Sequence, residues 1–155
     1  MAKEIERKFL VQPRKWSDLG PGLVIRQGYL SASKQSSVRV RTYGDKAFLT
    51  VKGSTSDATR DEYEYEIPIN DANEMLANLC GQPQIEKTRY RIVFKGHTWE
   101  VDEFTGENRG LTVAEVELKN TKEQVELPDW IDREVTDDPR YYNSNLSTKP
   151  FSTWK

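Results

Sequence analysis

Apolar and polar residues alternate along most of the chain with a period of two. Over residues 4–11, Glu4, Glu6 and Lys8 fall on one side, while Ile5, Arg7, Phe9 and Val11 fall on the other. The same alternation runs through Val38 to Arg41, Phe48 to Lys52, Glu62 to Ile67, Trp99 to Asp102 and Ala114 to Leu118. Such a period places successive side chains on opposite faces of a strand. With the stretches 23–30 and 86–94, the pattern predicts about eight strands, a number that closes into a barrel wide enough for one small ligand. Turn chemistry separates them: Gly20-Pro21-Gly22, the polar run Ser31 to Ser37, Gly44-Asp45, the small-residue loop Gly53 to Thr59, and Gly96-His97.

Helical periodicity is scarce. Asp71 to Cys80 sets Met75, Leu76 and Leu79 on one side behind an acidic start and stops at Gly81. Thr121 to Leu127 has the length for two turns before Pro128. Asp138-Pro139 supplies a cap and a first-turn proline ahead of Arg140 to Ser147. No repeat and no linker interrupts residues 1–155, which read as a single, mainly β domain with a few helices.

Composition sharpens this picture. The chain has 155 residues, of which 31% are charged and 35% hydrophobic. The charged share exceeds the average of about 25%, yet 23 Lys+Arg nearly cancel 25 Asp+Glu. That balance excludes nucleic-acid binding driven by bulk positive charge. With 4 Trp, 7 Tyr and 5 Phe spread along it, the chain is not a disordered segment. A lone Cys80 forms no intrachain disulfide and suits a reducing compartment; its place on the helix predicts a core residue. No apolar run approaches the roughly 18 residues of a membrane span, and the charged start is unlike a signal peptide. A cytoplasmic protein without membrane or nucleic-acid partners is expected. The sole histidine, His97, is expected on the surface of its turn.

The charges are not scattered. Like signs recur at i and i+2 on one strand face: Glu4/Glu6, Arg39/Arg41, Glu62/Glu64/Glu66, Lys87/Arg89, Glu100/Asp102 and Glu115/Glu117. Residues two apart in a strand lie roughly 6.6 Å apart, close enough to repel unless opposite charge lies between them. A single half-exposed sheet would also carry a charged outer face, but it would mix signs within a strand. Paired carboxylates suit a hard divalent cation, and paired cations suit a polyanion. The two together imply a metal–polyanion ligand inside a barrel whose charged face points inward and whose Val, Tyr, Trp and Leu face points outward under the helices.

Glu4-Ile5-Glu6-Arg7-Lys8 forms a complete Glu-x-Glu-x-Lys signature. Arg39-Val40-Arg41, Leu49 to Lys52, Arg60 to Glu64, Lys87-Thr88-Arg89, Glu100-Val101-Asp102, Ala114 to Glu117, Glu134 to Thr136 and Arg140 to Asn143 follow in order. This set resembles the triphosphate tunnel metalloenzymes, or CYTH superfamily, over the whole length. The resemblance implies a closed tunnel of eight antiparallel strands that binds a triphosphate with Mg²⁺ or Mn²⁺ and cleaves a phosphoanhydride bond. Within it, Glu4, Glu6 and Glu117 are expected to hold metal, with Glu62 and Glu115 as helpers. Lys8, Arg39, Arg41, Lys52, Lys87, Arg89 and Arg133 are expected to meet phosphate, although Arg133, like Arg60 and Arg91, is divided between tunnel and surface. Glu6, Glu117 and Lys87 are taken as catalytic, with Lys87, crowded by other cations, the candidate base. Arg140 to Ser147 is expected to cap or gate one mouth, and Gly53 to Thr59 the other.

Compact members of this kind act mostly on inorganic triphosphate, so tripolyphosphate hydrolysis is the leading expectation. An adenylyl cyclase and a thiamine triphosphatase share the same tunnel. A non-catalytic polyphosphate-binding module is the alternative of another class, and the paired carboxylates argue against it. A homodimer is compatible with the reading.

Overall fold

The computed structural model describes residues 3–12, 21–33, 35–54 and 59–154. A short segment around Pro13 to Leu19, ahead of the Gly20-Pro21-Gly22 break, lies outside the described residues, as does most of the loop from Gly53 to Thr59. Among the described residues nine strands form: β1 Lys3–Val11, β2 Leu23–Ala32, β3 Ser36–Tyr43, β4 Lys46–Gly53, β5 Thr59–Ile67, β6 Ile85–Phe94, β7 His97–Thr105, β8 Thr112–Glu117 and β9 Ile131–Glu134. Helix α1 spans Ile69–Asn78 and the short α2 spans Asn143–Leu146.

The sheet runs β5-β4-β3-β2-β6-β7-β8-β1, every neighbour antiparallel, and a β1–β5 pairing closes it into an eight-stranded barrel. One edge of β1 is divided between two strands. Residues 3–5 pair with Thr59 to Asp61 of β5, while Phe9 and Val11 pair with β9. The four-residue β9 escapes the sequence pattern because Ile131 to Glu134 is too short for its alternation to stand out.

Side-chain alternation divides the apolar residues among three clusters. Phe9, Trp99, Val101, Ala114 and Val116 face outward from β1, β7 and β8 and are covered by the chain between Leu118 and Trp130. That chain is extended and irregular, not the helix expected over Thr121 to Leu127. A second outward cluster, Val40, Ala47, Ala72 and Leu76, lies under α1. There the helix and the residues that follow it approach the sheet so closely that a Cβ on Gly28 would stand 3.2 Å from Leu76 Cδ2 and 2.8 Å from Cys80 Cβ. Cys80 packs at the edge of this cluster, partly buried, whereas Leu79 stays exposed. Tyr63 and Tyr65 point outward as expected but are exposed, not packed beneath a helix.

The third cluster is inside. Ile85, Phe104 and Val113 meet Leu111, Val135, Tyr141 and Leu146 at one end of the barrel, where Leu10 packs against them. The expectation of a wholly charged interior therefore fails at this end, which the C-terminal segment plugs with apolar side chains. At the opposite end, the β6–β7 turn has positive φ at Lys95 and Gly96 (47° and 84°), so His97 opens β7 instead of sitting in the turn. Its ring is half-buried, with Nε2 2.7 Å from Glu123.

Candidate active site

The register brings the inward faces of all eight barrel strands to one lumen. Across β1 and its neighbours, Glu6 lies opposite Glu117, Lys8 opposite Glu115 and Glu4 opposite Arg60. Arg39 faces Thr50, Thr50 faces Glu64, and Lys52 faces Glu62. Arg89 faces Asp102, and Glu100 faces Glu115. Lys8, Lys52 and Arg89 are thus met by carboxylates on adjacent strands, whereas Glu6 with Glu117 and Glu100 with Glu115 set like charges opposite each other.

Contacts follow this pattern. Lys52 Nζ lies 3.1 Å from Glu4 and 3.3 Å from Glu62, and Arg60 reaches Glu4 at 3.8 Å. Glu64 accepts from Thr50 Oγ1 at 2.8 Å and lies 3.4 Å from Arg41 and 3.9 Å from Arg39. Lys8 Nζ donates to the Tyr141 carbonyl at 3.0 Å and stands 3.7 Å from Glu115. Deepest of all, Asp102 accepts both arms of Arg89 (2.7 and 2.9 Å) and lies 2.9 Å from Lys87 Nζ. Lys87 also reaches Asn143 Oδ1 at 3.4 Å, so α2 joins the lumen wall.

Of the residues expected at the site, Glu4, Glu6, Lys8, Arg39, Arg41, Lys52, Glu62, Lys87, Arg89 and Glu115 converge on this lumen. Glu117 stands exposed at the open mouth, bordering a cavity of about 390 Å³ with Glu4, Glu6, Glu100 and Glu115. Arg60 belongs to the lumen, while Arg91 is largely exposed and held by Glu100 at 3.0 Å. Arg133 does not join them: it is exposed on β9, which is added outside the closed barrel. Sequence reading placed Asp102 and Glu64 among the paired charges and Asn143 in the capping segment, but gave none of the three a role of its own at the site. The first two were visible as alternating inward charges, but their partners depend on cross-strand register.

Burial pushes the lumen carboxyls upward, and neighbours decide the outcome. For Glu6, burial acts together with Glu115, Glu4 and a hydrogen bond to Glu115, so its pKa stands well above the usual carboxylate range. Glu115 feels the same burial, but Lys8, the hydrogen bond to Glu6, Arg89 and Lys87 hold it well below that range. Burial of Glu4 is outweighed chiefly by Lys52 and Arg60, leaving it lowered. Glu117 and Glu62 are raised by burial first and then by Glu4. Burial lowers Lys87 to about 8 despite Asp102, with Arg89 adding to the effect.

A CYTH domain model matches residues 2–147. The chain belongs to the CYTH family. Among CYTH relatives, an inorganic triphosphatase of Acetivibrio thermocellus is 54% identical over 155 residues, covering 100% of this chain and 99% of the relative. An inorganic triphosphatase of Nitrosomonas europaea is 36% identical over 148 residues, 93% of this chain and 96% of the relative. The crystal structure of the inorganic triphosphatase NE1496 superposes with a TM-score of 0.67 at 32% identity, covering 92% of this chain and 96% of that one.

CYTH membership implies use of a divalent metal, and the donors present suit one. The carboxyls of Glu4, Glu6 and Glu115 are hard oxygen donors on adjoining strands, and a cation there would relieve the mutual repulsion that helps raise Glu6. As the side chains stand, no three acidic, histidine or cysteine groups among the described residues form a ready cage. Lys52, Arg60 and Lys8 neutralise the carboxylates instead.

Proposed function

We propose that this protein hydrolyses inorganic triphosphate to phosphate and pyrophosphate with Mg²⁺ or Mn²⁺. One observation carries the reading: a closed barrel gathers carboxyls on β1 and β8 against cations on β1, β3, β4 and β6 inside one lumen. A pure anion binder has no use for the Glu6–Glu115 pair. The names of the two CYTH relatives above support the same substrate.

Glu4, Glu6 and Glu115 would hold the metal, with Glu62 and Glu117 close by at the lumen and its mouth. When bound, the ion supplies charge neutralisation on phosphate oxygens and acidifies water. Phosphoryl transfer asks the protein mainly for positioning and electrostatic stabilisation. Arg39, Arg41 and Lys52 face the lumen on adjacent strands β3 and β4 and bind the phosphate chain. Lys8 and Arg89 lie against Glu115 and stabilise charge growing on the leaving pyrophosphate. Lys87, whose proton is lost near a pH of about 8, takes the proton of the attacking water.

Purified protein incubated with Mg²⁺ and, separately, tripolyphosphate, ATP or thiamine triphosphate tests the reading. Phosphate release from tripolyphosphate is the expected result. Cyclic AMP from ATP, or binding of all three without turnover, overturns it.

A further inference from the structure

The two sides of the lumen are satisfied unequally. On β6 and β7, Lys87 and Arg89 are both held by Asp102, and Arg89 also reaches Glu100 and Glu115. On β2 and β3, polar atoms remain without partners. Gln27 is 0% exposed, and neither its amide nitrogen nor its amide oxygen has a hydrogen-bond partner. It lies directly opposite Arg41, and the Nε groups of Arg41 and Arg39 are likewise buried and unpartnered. Its other neighbour in register is Ile85 of the apolar plug, so Gln27 sits where the charged lumen ends.

A buried polar group without a partner is destabilising, and native proteins leave few of them. An apolar side chain of the same length would fit beside Ile25 and Ile85 at no such cost. The pattern instead fits a ligand that brings acceptors to the Arg39, Arg41 and Gln27 donors together. Phosphate oxygens are acceptors, and a water ordered against them supplies a donor for the amide oxygen.

We propose that Gln27 is a positioning residue for the triphosphate: its amide nitrogen donates to an oxygen of the phosphate chain held by Arg39 and Arg41, at the inner end of the lumen. The proposal rests on the triphosphatase reading. An uncharged donor there fixes how deep the chain enters without adding to the repulsion among the cations.

The test compares wild type with Gln27→Met, which keeps length and removes both polar atoms, and Gln27→Glu, which keeps shape and removes the donor. Melting temperature without ligand, KM and kcat for tripolyphosphate with Mg²⁺, and calorimetric binding of tripolyphosphate in EDTA are measured. Gln27→Met is expected to melt at or above the wild-type temperature while KM and the metal-free Kd rise by about tenfold or more, the effect of losing one hydrogen bond to a charged group. Gln27→Glu is expected to raise both further. Unchanged KM and Kd overturn the proposal, whether the variant melts lower, as it would on losing a structural water, or not. Should Gln27→Met fail to fold, Gln27→Glu carries the same comparison. Wild-type protein that binds tripolyphosphate without cleaving it would sink the triphosphatase reading and leave the Kd comparison to judge Gln27.

Discussion

Lys87 Nζ lies 2.9 Å from Asp102, and each of the two side chains is only 1% exposed. Asp102 holds Arg89 as well, so a single carboxylate balances two buried cations. Removing one member of a buried pair leaves charge uncompensated, which costs about 3–5 kcal/mol. Asp102→Asn is therefore expected to destabilise the fold by about that amount, measured by urea unfolding. A loss under about 1 kcal/mol would mean that the lumen cations do not depend on Asp102.

Lys87 also sets a pH dependence. Its folded-state pKa is lowered from 10.5 to about 8, so the unfolded chain binds more protons between these values and stability rises with pH across that window. Lys87→Met is expected to remove this rise. With Lys87 as base, kcat/KM for tripolyphosphate increases with pH up to a midpoint near the same pKa of about 8, and Lys87→Arg flattens the curve. A wild-type profile level from pH 7 to 9 would remove Lys87 from proton transfer.

Glu6 offers a separation of stability from activity. Its carboxyl, raised well above the usual range by burial, Glu115 and Glu4, hydrogen-bonds with Glu115, a role that a carboxamide reproduces. Glu6→Gln is expected to retain the wild-type melting temperature while Mg²⁺-dependent phosphate release falls by about 100-fold or more. Retained turnover would place the metal elsewhere.

The plug is equally open to test. Leu146 is fully buried against the cluster that includes Ile85 and Phe104, and the same segment offers the Tyr141 carbonyl to Lys8 and Asn143 to Lys87. Leu146→Ala is expected to cost about 2–5 kcal/mol in denaturant unfolding. Because it also loosens those two anchors, KM for tripolyphosphate should rise; an unchanged KM would show that the plug serves the fold alone.

Much of this was legible in the sequence because strand alternation is strict. Glu4, Glu6, Arg39, Arg41, Lys52 and Glu115 each stand at a position whose face can be read by counting in twos, and opposing like-charged pairs imply a shared interior. What could not be read depended on contacts between distant segments. Asp102 stood out as one more alternating acid, but its pairing with Lys87 and Arg89 requires the β6–β7 register. Arg133 carried the right charge on a strand too short to reveal that it lies outside the closed barrel. Thr121 to Leu127 had helical length, yet tertiary packing holds Val125 against the outer cluster in an extended chain. The interior plug was hidden because Ile85, Phe104 and Val113 continue the alternation of their strands and only their depth makes them different.

The divided edge of β1 has a wider meaning. That strand is hydrogen-bonded to β5, β8 and β9, and it also carries Glu4, Glu6 and Lys8. Lys3–Val11 thus acts as seam and as chemistry at once. Any change that slides β1 by a single position unzips three borders and turns its acids outward, so such a slip takes architecture and reactivity together.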